Sequence, residues 1–313
     1  MITENKPEIS IVVPLFNEKD SLKELHKKIS DVMIKNGEPY EIIFIDDGST
    51  DDSFEYLKKI YEDDKNVRVF RLQRNYGKSA ALSTGFKNAK GEVIITIDAD
   101  LQDDPEEIPN LLKKINDGYD LVSGWKMDRK DPFIKIVSSK FFNFITRLLT
   151  GLKIHDINCG LKAYRRKVTE NIKVYGELHR YIPALAKVEG FKIDEVKVRH
   201  HPRKYGKSKY GVTRFFKGFT DLLTVLYISR FTTRPMHLFG LAGLIFFIIG
   251  FIINLLLTIW WFKGQGIGNR PLFFLGILLM IFGIQLFSIG LLGEMIANIR
   301  KNDENYIFKD ILQ

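Results

Sequence analysis

Asp98 and Asp100 stand two residues apart at the end of an apolar run, Ile94-Ile-Thr-Ile, and Gln102, Asp103 and Asp104 follow before Pro105. Such a run reads as a strand buried on both faces of a parallel sheet, and open α/β sheets bind ligands just beyond the carboxyl ends of their strands. While strand geometry persists, side chains two apart share a face. Donors that are all oxygen suit a hard divalent cation, Mg2+ or Mn2+, of the kind that accompanies a diphosphate. A second use of the same segment is to start a helix at Pro105, capped by Asp103 or Asp104. Capping explains residues 103–107 but gives no reason to leave Asp98 and Asp100 at the mouth of a buried strand.

Two other strand ends carry polar groups that could meet the same ligand. Pro14-Leu-Phe-Asn17-Glu18 follows the first apolar run, and Asp46-Asp47-Gly48-Ser49-Thr50-Asp51 follows the second. A carboxylate at such an edge can accept hydrogen bonds from a uracil or a ribose, and Gly48 would let backbone approach a ligand closely. Taken alone, Asp-Gly-Ser-Thr-Asp is only a good turn and helix cap. Arg74 and Lys78 add cations near this edge, with plain surface solvation as the competing explanation. Neither GxGxxG nor GxxxxGK[ST] occurs, so a dinucleotide fingerprint and a P-loop are both excluded. Cys159 is the single cysteine, which rules out an intrachain disulfide. His155, His179, His200 and His201 lack metal-cluster spacing and are expected in ordinary polar roles.

The elements that must position these residues alternate from the start. Strands are expected at 9–13, 41–45, 67–72, 94–97 and 119–123. Helices are expected at 21–34, with Leu22, Leu25, Ile29 and Val32 on one face, from Ser49 or Thr50 to about Tyr61, from Gly77 to before Gly91, and at 105–116. This βα rhythm predicts a doubly wound, mostly parallel α/β sheet over the first ~125 residues. Two amphipathic helices are expected later, at 133–149 and 212–231. The second runs almost directly into an apolar segment and is expected on a bilayer surface.

That segment, 236–262, and a second, 272–299, are nearly uncharged and exceed the ~20 residues that span a bilayer. The short Gly-rich link 263–271 makes them a two-helix transmembrane hairpin. Arg230 and Arg234 before it and Arg300 and Lys301 after it place both ends in the cytoplasm, although Lys263 and Arg270 in the link oppose this. Residues 1–8 are polar and the apolar stretch after them is short and contains Pro14, so no signal peptide is expected. Four segments result: a cytosolic domain 1–211, a juxtamembrane helix 212–233, the hairpin 234–301 and a tail 302–313, in a multi-pass protein of the cell membrane. The formal charge of +9 fits anionic headgroups or phosphate substrates better than nucleic acid, for which no module is present.

Pro14–Glu18, Asp46–Asp51, Arg74–Lys78 and Asp98–Gln102 together resemble the successive motifs of the family 2 glycosyltransferases, which adopt the GT-A fold. His155–Arg165, His179–Pro183 and 203–211, followed by two spans, resemble the polyprenyl-phosphate hexose transferases within that family, the group of the dolichol-phosphate mannose synthases. The resemblance covers essentially the whole chain. It implies that Pro14, Glu18, Asp46 and Asp98 contact the donor nucleoside, with Lys78 at the same edge, and that Asp100 and Gln102 bind the metal. It implies Asp156 as the carboxylate of the catalytic site, and Arg203, Lys207 and Lys209 as groups facing phosphates. Leu161 stands where relatives often have an aromatic.

The implied reaction moves a hexose, expected from UDP-glucose or UDP-N-acetylglucosamine, to undecaprenyl phosphate at the cytosolic membrane face with inversion. A divalent ion bridging the diphosphate would act as a Lewis acid. A lipid phosphate is already ionised at neutral pH, so Asp156 is expected to orient the acceptor or stabilise developing positive charge rather than remove a proton. In 200–211 four cations, two tyrosines and two glycines read as a loop that grips phosphate and closes over the substrates, or, more simply, as attraction to anionic lipid. A processive polysaccharide synthase is disfavoured by the absence of Gln-x-x-Arg-Trp. A nucleotide-binding protein without turnover is the alternative from outside the enzymes. Association of hairpins through Gly-bearing faces would give a homo-oligomer, and a flippase is a partner inferred from where the product forms.

Overall fold

Every residue of Ile9–Leu15 is buried, so the first strand, β1, has to lie inside the sheet. The computed structural model describes residues 6–126, 147, 151–202, 204, 205, 235–264, 266 and 271–301. Parallel pairing joins β1 to β2 (Tyr40–Asp46) and to β4 (Val93–Thr96), and β2 to β3 (Val67–Arg71). Its crossover helices are α1 (Lys19–Asn36), α2 (Ser53–Asp63) and α3 (Lys78–Asn88). Helix α1 buries Leu22, Leu25, Ile29 and Met33, whereas Val32 packs only at the core's margin. Beyond β4 come a 3-10 turn at Pro105–Glu107, α4 (Ile108–Asn116) and β5 (Leu121–Lys126).

Two strands were not anticipated. The segments β6 (Lys162–Arg165) and β7 (Ile193–Val198) complete a seven-stranded sheet in the order β3-β2-β1-β4-β6-β5-β7. Strand β6 is antiparallel to both β4 and β5, while β7 is parallel to β5. The short helices α5 (Arg166–Asn171) and α6 (Ile182–Val188) lie between β6 and β7. The fold is therefore the expected α/β, mostly parallel type, with one reversed strand, β6, between β4 and β5.

Helix α2 starts later than expected. Its cap position is Asp52, because Ser49 and Thr50 are engaged elsewhere: the Ser49 hydroxyl accepts from the Asn17 N–H and the Thr50 hydroxyl from the Asn17 amide. Of the two candidate caps before Pro105, Asp104 takes the role, accepting from the Glu106 N–H at 3.1 Å.

The chain divides into two compact units, Met1–Val225 and Leu226–Gln313. In the second, α7 (Met236–Phe262) and α8 (Pro271–Lys301) are both long and apolar enough to cross a membrane. Outward side chains such as Leu241, Ile248, Phe251, Phe274, Leu278 and Leu292 are exposed, a surface that suits lipid rather than water. The helices meet at glycines. A Cβ on Gly283 would lie 2.6 Å from the Gly243 carbonyl oxygen, and one on Gly250 would overlap the Gly276 carbonyl. These glycine faces are thus used within the hairpin and give no separate argument for a homo-oligomer. Glu294 accepts from the Met236 N–H at 3.3 Å, so its carboxylate sits at the α7 N-terminus, where helix polarity favours an anion. The expected helix at 133–149, apart from Arg147, and the one at 212–231 lie outside the described residues.

Candidate active site

Ladder pairing of β4 stops at Thr96, yet the alternation continues: Ile97, Ala99 and Leu101 are buried, while Asp98, Asp100 and Gln102 between them are half-buried. Leu101 holds its place in the core with φ at +59°, a left-handed conformation that side chains beyond Gly, Asn and Asp rarely adopt. The turn is closed by the Gln102 N–H donating to the Asp100 carboxylate at 3.2 Å. The three polar groups singled out in sequence therefore leave the sheet edge on its open side, held from behind by apolar anchors.

Asp98 is ion-paired with Lys78 from the start of α3 at 2.5 Å. Burial alone would raise its pKa, but the charge and hydrogen bond of Lys78 bring it down to about 2. Lys78 is thus not a merely solvated surface cation. Asp103, expected as a cap, is fully buried and pairs with Lys126 at the end of β5 at 2.6 Å. Burial opposes the charge on Lys126, and Asp103 more than restores it, so the lysine pKa is raised.

The segment carrying Asp156 is seated on this cluster. A Cβ on Gly160 would lie 2.5 Å from the Asp98 carboxyl carbon and 2.7 Å from Asp103 Oδ2, so only glycine lets the 156–160 turn come this close. Three neighbouring strands then hold its carbonyls: Thr96 of β4 donates to Gly160 O at 2.8 Å, Ser123 of β5 donates to Asp156 O at 3.2 Å, and Lys162 of β6 donates to Cys159 O. Thr96, Lys162 and Ser123 are partners in register across the sheet. Asp156 is buried at 2% exposure, and its carboxylate accepts from the Asn158 N–H at 3.1 Å. Cys159 is buried and free; burial, with Asp103 adding to it, pushes its thiol up to about 12. A small cavity of about 20 Å³ lies against the turn, lined in part by Lys78, Asp98, Asn158, Lys162, Tyr164 and His179. Burial, and next Lys78, hold the His179 imidazole well below its usual pKa, and Ser79 Oγ lies 3.0 Å from its Nδ1.

The ends of β1 and β2 are joined by their own polar groups. Pro14 is inside β1 opposite Ile45. Asp46 is fully buried, accepts from the Ser49 N–H at 2.8 Å and lies 3.4 Å from Arg71 Nε. Asp47 accepts from the N–H groups of Tyr76 and Gly77, each at 2.8 Å. Gly48 has φ +71° and would place a Cβ 2.5 Å from the Arg74 carbonyl carbon, so its freedom serves the approach of the 74–77 loop rather than of a ligand. The Glu18 N–H donates to Ser53 Oγ at 3.1 Å.

After β7 the chain passes beside the same loop. The His201 N–H donates to Gln102 O at 2.9 Å, His200 Nδ1 lies 3.1 Å from that oxygen, and His201 Nε2 lies 3.1 Å from Asp104 Oδ2. The cationic run thus begins against Gln102, and Lys204 pairs with Glu24 at 2.6 Å. Arg203, Lys207 and Lys209 lie outside the described residues. Trp125 stacks on His155 with centroids 4.2 Å apart, and Glu195 holds the His155 ring and N–H, which gives His155 the polar role expected of it.

Asp100 and Gln102 offer hard oxygen donors on half-buried side chains, and among the described residues no three His, Cys, Asp or Glu side chains close a metal cage. That donor set fits Mg2+ or Mn2+, which take one or two protein ligands and fill their remaining positions with phosphate and water oxygens. Sequence spacing alone did not single out Lys126, Lys162 or Tyr164, nor give Asp103 and His179 their places in the cluster. The one available signal was a lysine inside the otherwise apolar Leu161–Tyr164.

Residues 10–173 match glycosyl transferase family 2. The dodecaprenyl-phosphate galacturonate synthase of Rhizobium johnstonii is 38% identical over 97% of this chain and 93% of its own length. The undecaprenyl-phosphate 4-deoxy-4-formamido-L-arabinose transferase of Klebsiella pneumoniae is 37% identical over 93% of this chain and 88% of its own. Among solved structures, the glucosyl-3-phosphoglycerate synthase of Mycobacterium tuberculosis with Mn2+, UDP-glucose and glycerol 3-phosphate superposes with a TM-score of 0.52 at 18% identity, covering 71% of this chain and 80% of that one. At that identity the likeness concerns the fold.

Proposed function

This chain belongs to glycosyl transferase family 2, within its polyprenyl-phosphate transferases, and we propose that it moves a sugar from a UDP-sugar to undecaprenyl phosphate at the cytosolic face of the cell membrane, inverting the anomeric centre. The observation that carries this reading is the seating of the Asp156 turn on the carboxylates that end β4, with Gly160 against Asp98 and Asp103. That contact joins the donor side of the sheet edge to the segment expected to meet the acceptor. Two relatives named for different sugars, galacturonate and formamido-arabinose, share a polyprenyl phosphate acceptor, which supports the acceptor class and widens the donor beyond glucose and N-acetylglucosamine.

In the reaction a lipid phosphate oxygen forms a bond to the sugar's anomeric carbon, and the bond from that carbon to the β-phosphate oxygen breaks with its electron pair leaving on UDP. No proton changes hands, so no general base is required. Asp100 and Gln102 would hold the divalent ion, which when bound supplies charge stabilisation for the departing diphosphate. Asp156, fixed at the junction, orients the incoming phosphate or stabilises positive charge at the sugar ring. Glu18 and Pro14 are the candidates for the nucleoside side, with the buried Asp46 fixing the Ser49 turn beside them, and Arg203, Lys207 and Lys209 are the candidates for holding phosphates. The hairpin of α7 and α8 would anchor the chain in the membrane that holds the lipid acceptor.

Mass spectrometry of the lipid fraction after incubation with undecaprenyl phosphate, Mn2+ and a panel of UDP-sugars tests this. A single sugar on a phosphodiester of undecaprenol is expected. Nucleotide binding without any glycosylated lipid across the panel, or a ladder of longer chains, would overturn it.

A further inference from the structure

Lys162 is the buried cation to which the reaction above gives no task. Its side chain is 4% exposed, and its ammonium donates to the Cys159 carbonyl. Of the neighbouring carboxylates, Asp98 is taken by Lys78 and Asp103 by Lys126, and Asp156 acts on the ammonium only from a distance, too weakly to offset its burial. No carboxylate among the described residues comes within 4 Å of the Lys162 ammonium, although three hydrogen-bond donors are available on it. A lysine buried without an anionic partner is strongly unfavourable unless something else supplies the charge.

That ammonium lines the cavity beside the turn, together with Lys78 and Asp98. The last two are about a third exposed, at 35% and 30%, so the cavity reaches the surface beside the donor edge. Its charged lining is two cations against one anion, and that anion is already neutralised by Lys78. A space of about 20 Å³ admits one functional group rather than a whole sugar ring. Asn158, Tyr164 and His179 add polar atoms, with His179 neutral. A small, buried, net-positive hole at the edge of a nucleotide-sugar site is matched to a carboxylate. A neutral hydroxymethyl group would leave the charge unused, and an amine would be repelled.

Building on the reading of this edge as a nucleotide-sugar site, we propose that the cavity takes the carboxylate of an acidic sugar on the Lys162 ammonium, so that the donor is a nucleotide-linked uronic acid. The test compares UDP-glucuronate and UDP-galacturonate with UDP-glucose and UDP-galactose, using the full chain in lipid nanodiscs with Mn2+ and undecaprenyl phosphate. At least one uronate is expected to exceed its neutral parent in kcat/KM by about tenfold or more, and Lys162→Met is expected to bring that ratio close to one.

Wild-type preference for the neutral sugars, or an unchanged uronate preference in Lys162→Met, would overturn the inference while leaving the transferase reading intact. Calorimetric binding of the same four donors to the wild-type chain reads the preference independently of turnover and of the variant's folding. Equal affinities there would overturn it too. Tighter uronate binding with no transfer from any donor would support the cavity assignment and count against the transferase reading instead.

Discussion

An acceptor that arrives already ionised changes what a carboxylate beside it has to do. Asp156 is buried, and its carboxylate is oriented by the Asn158 N–H, features of a fixed charge rather than of a proton shuttle. Replacing it with Asn keeps the shape and removes the charge. Asp156→Asn is expected to lower kcat by about a hundredfold or more with KM for the donor little changed; turnover within a few-fold of wild type would remove Asp156 from the mechanism. His179 offers a test in pH. Its pKa is depressed by burial and by Lys78, so the folded protein binds fewer protons than the unfolded chain once pH falls below about 6.5. The stability tied to this group is complete above that pH and is lost as pH falls toward the folded value. The melting temperature should therefore drop more steeply between pH 7 and 5 in wild type than in His179→Gln, and parallel curves would contradict the assignment. At this scale the carboxylates at 98 and 100 stood out in the chain, because a run of apolar residues ending in acids is unusual by itself, whereas Asp156 was pointed to only by the family resemblance. The pairings could not be read there: Lys78 was expected at this edge, but its bond to Asp98 and that of Lys126 to Asp103 join different elements, and only the fold brings them together.

The turn at 156–160 is an element whose position is imposed by its neighbours. Thr96, Ser123 and Lys162 hold three of its carbonyls, and the Asp103–Lys126 pair ties the loop after β4 to the end of β5. Removing one partner of a buried pair leaves an uncompensated charge. Asp103→Asn is accordingly expected to destabilise the protein by about 3–5 kcal/mol, with Asp103→Asn combined with Lys126→Met recovering much of the loss. Denaturant unfolding measures both, and simple additivity of the two changes would contradict the pairing. The alternation of strand and helix through β5 was readable because each apolar run is bounded by turn residues and each helix has one apolar face. Strand β6 was not, since four residues with a lysine and an arginine among them resemble a loop until β4 and β5 are in place on either side. The late start of α2 was hidden for a similar reason: Ser49 and Thr50 are good caps in isolation, and only the presence of Asn17, two residues after β1, explains why they serve the turn.

Across the whole molecule, a charge-rich α/β unit and an apolar helical hairpin divide the work, and the hairpin's register is set by glycines. Gly283→Leu would push α8 off the Gly243 carbonyl and is expected to destabilise the hairpin by about 1–3 kcal/mol. Gly266→Ala, where a Cβ meets nothing within 4 Å, should stay within about 0.5 kcal/mol. Thermal unfolding of the full chain in detergent compares them, and equal effects would contradict the glycine packing. The two apolar segments were evident from length and composition alone, whereas the use of their glycines within the hairpin required the paired helices. Transfer to a membrane lipid requires donor edge, metal and acceptor to act together, and one measurement examines all three. It is the release of UDP from the preferred UDP-sugar by the full chain in nanodiscs, with Mn2+ and undecaprenyl phosphate each present or withheld. Rapid release only when both are supplied, and its loss in Asp100→Asn, is the expected result; release that ignores either the metal or the lipid would contradict a polyprenyl-phosphate transferase built on this sheet edge.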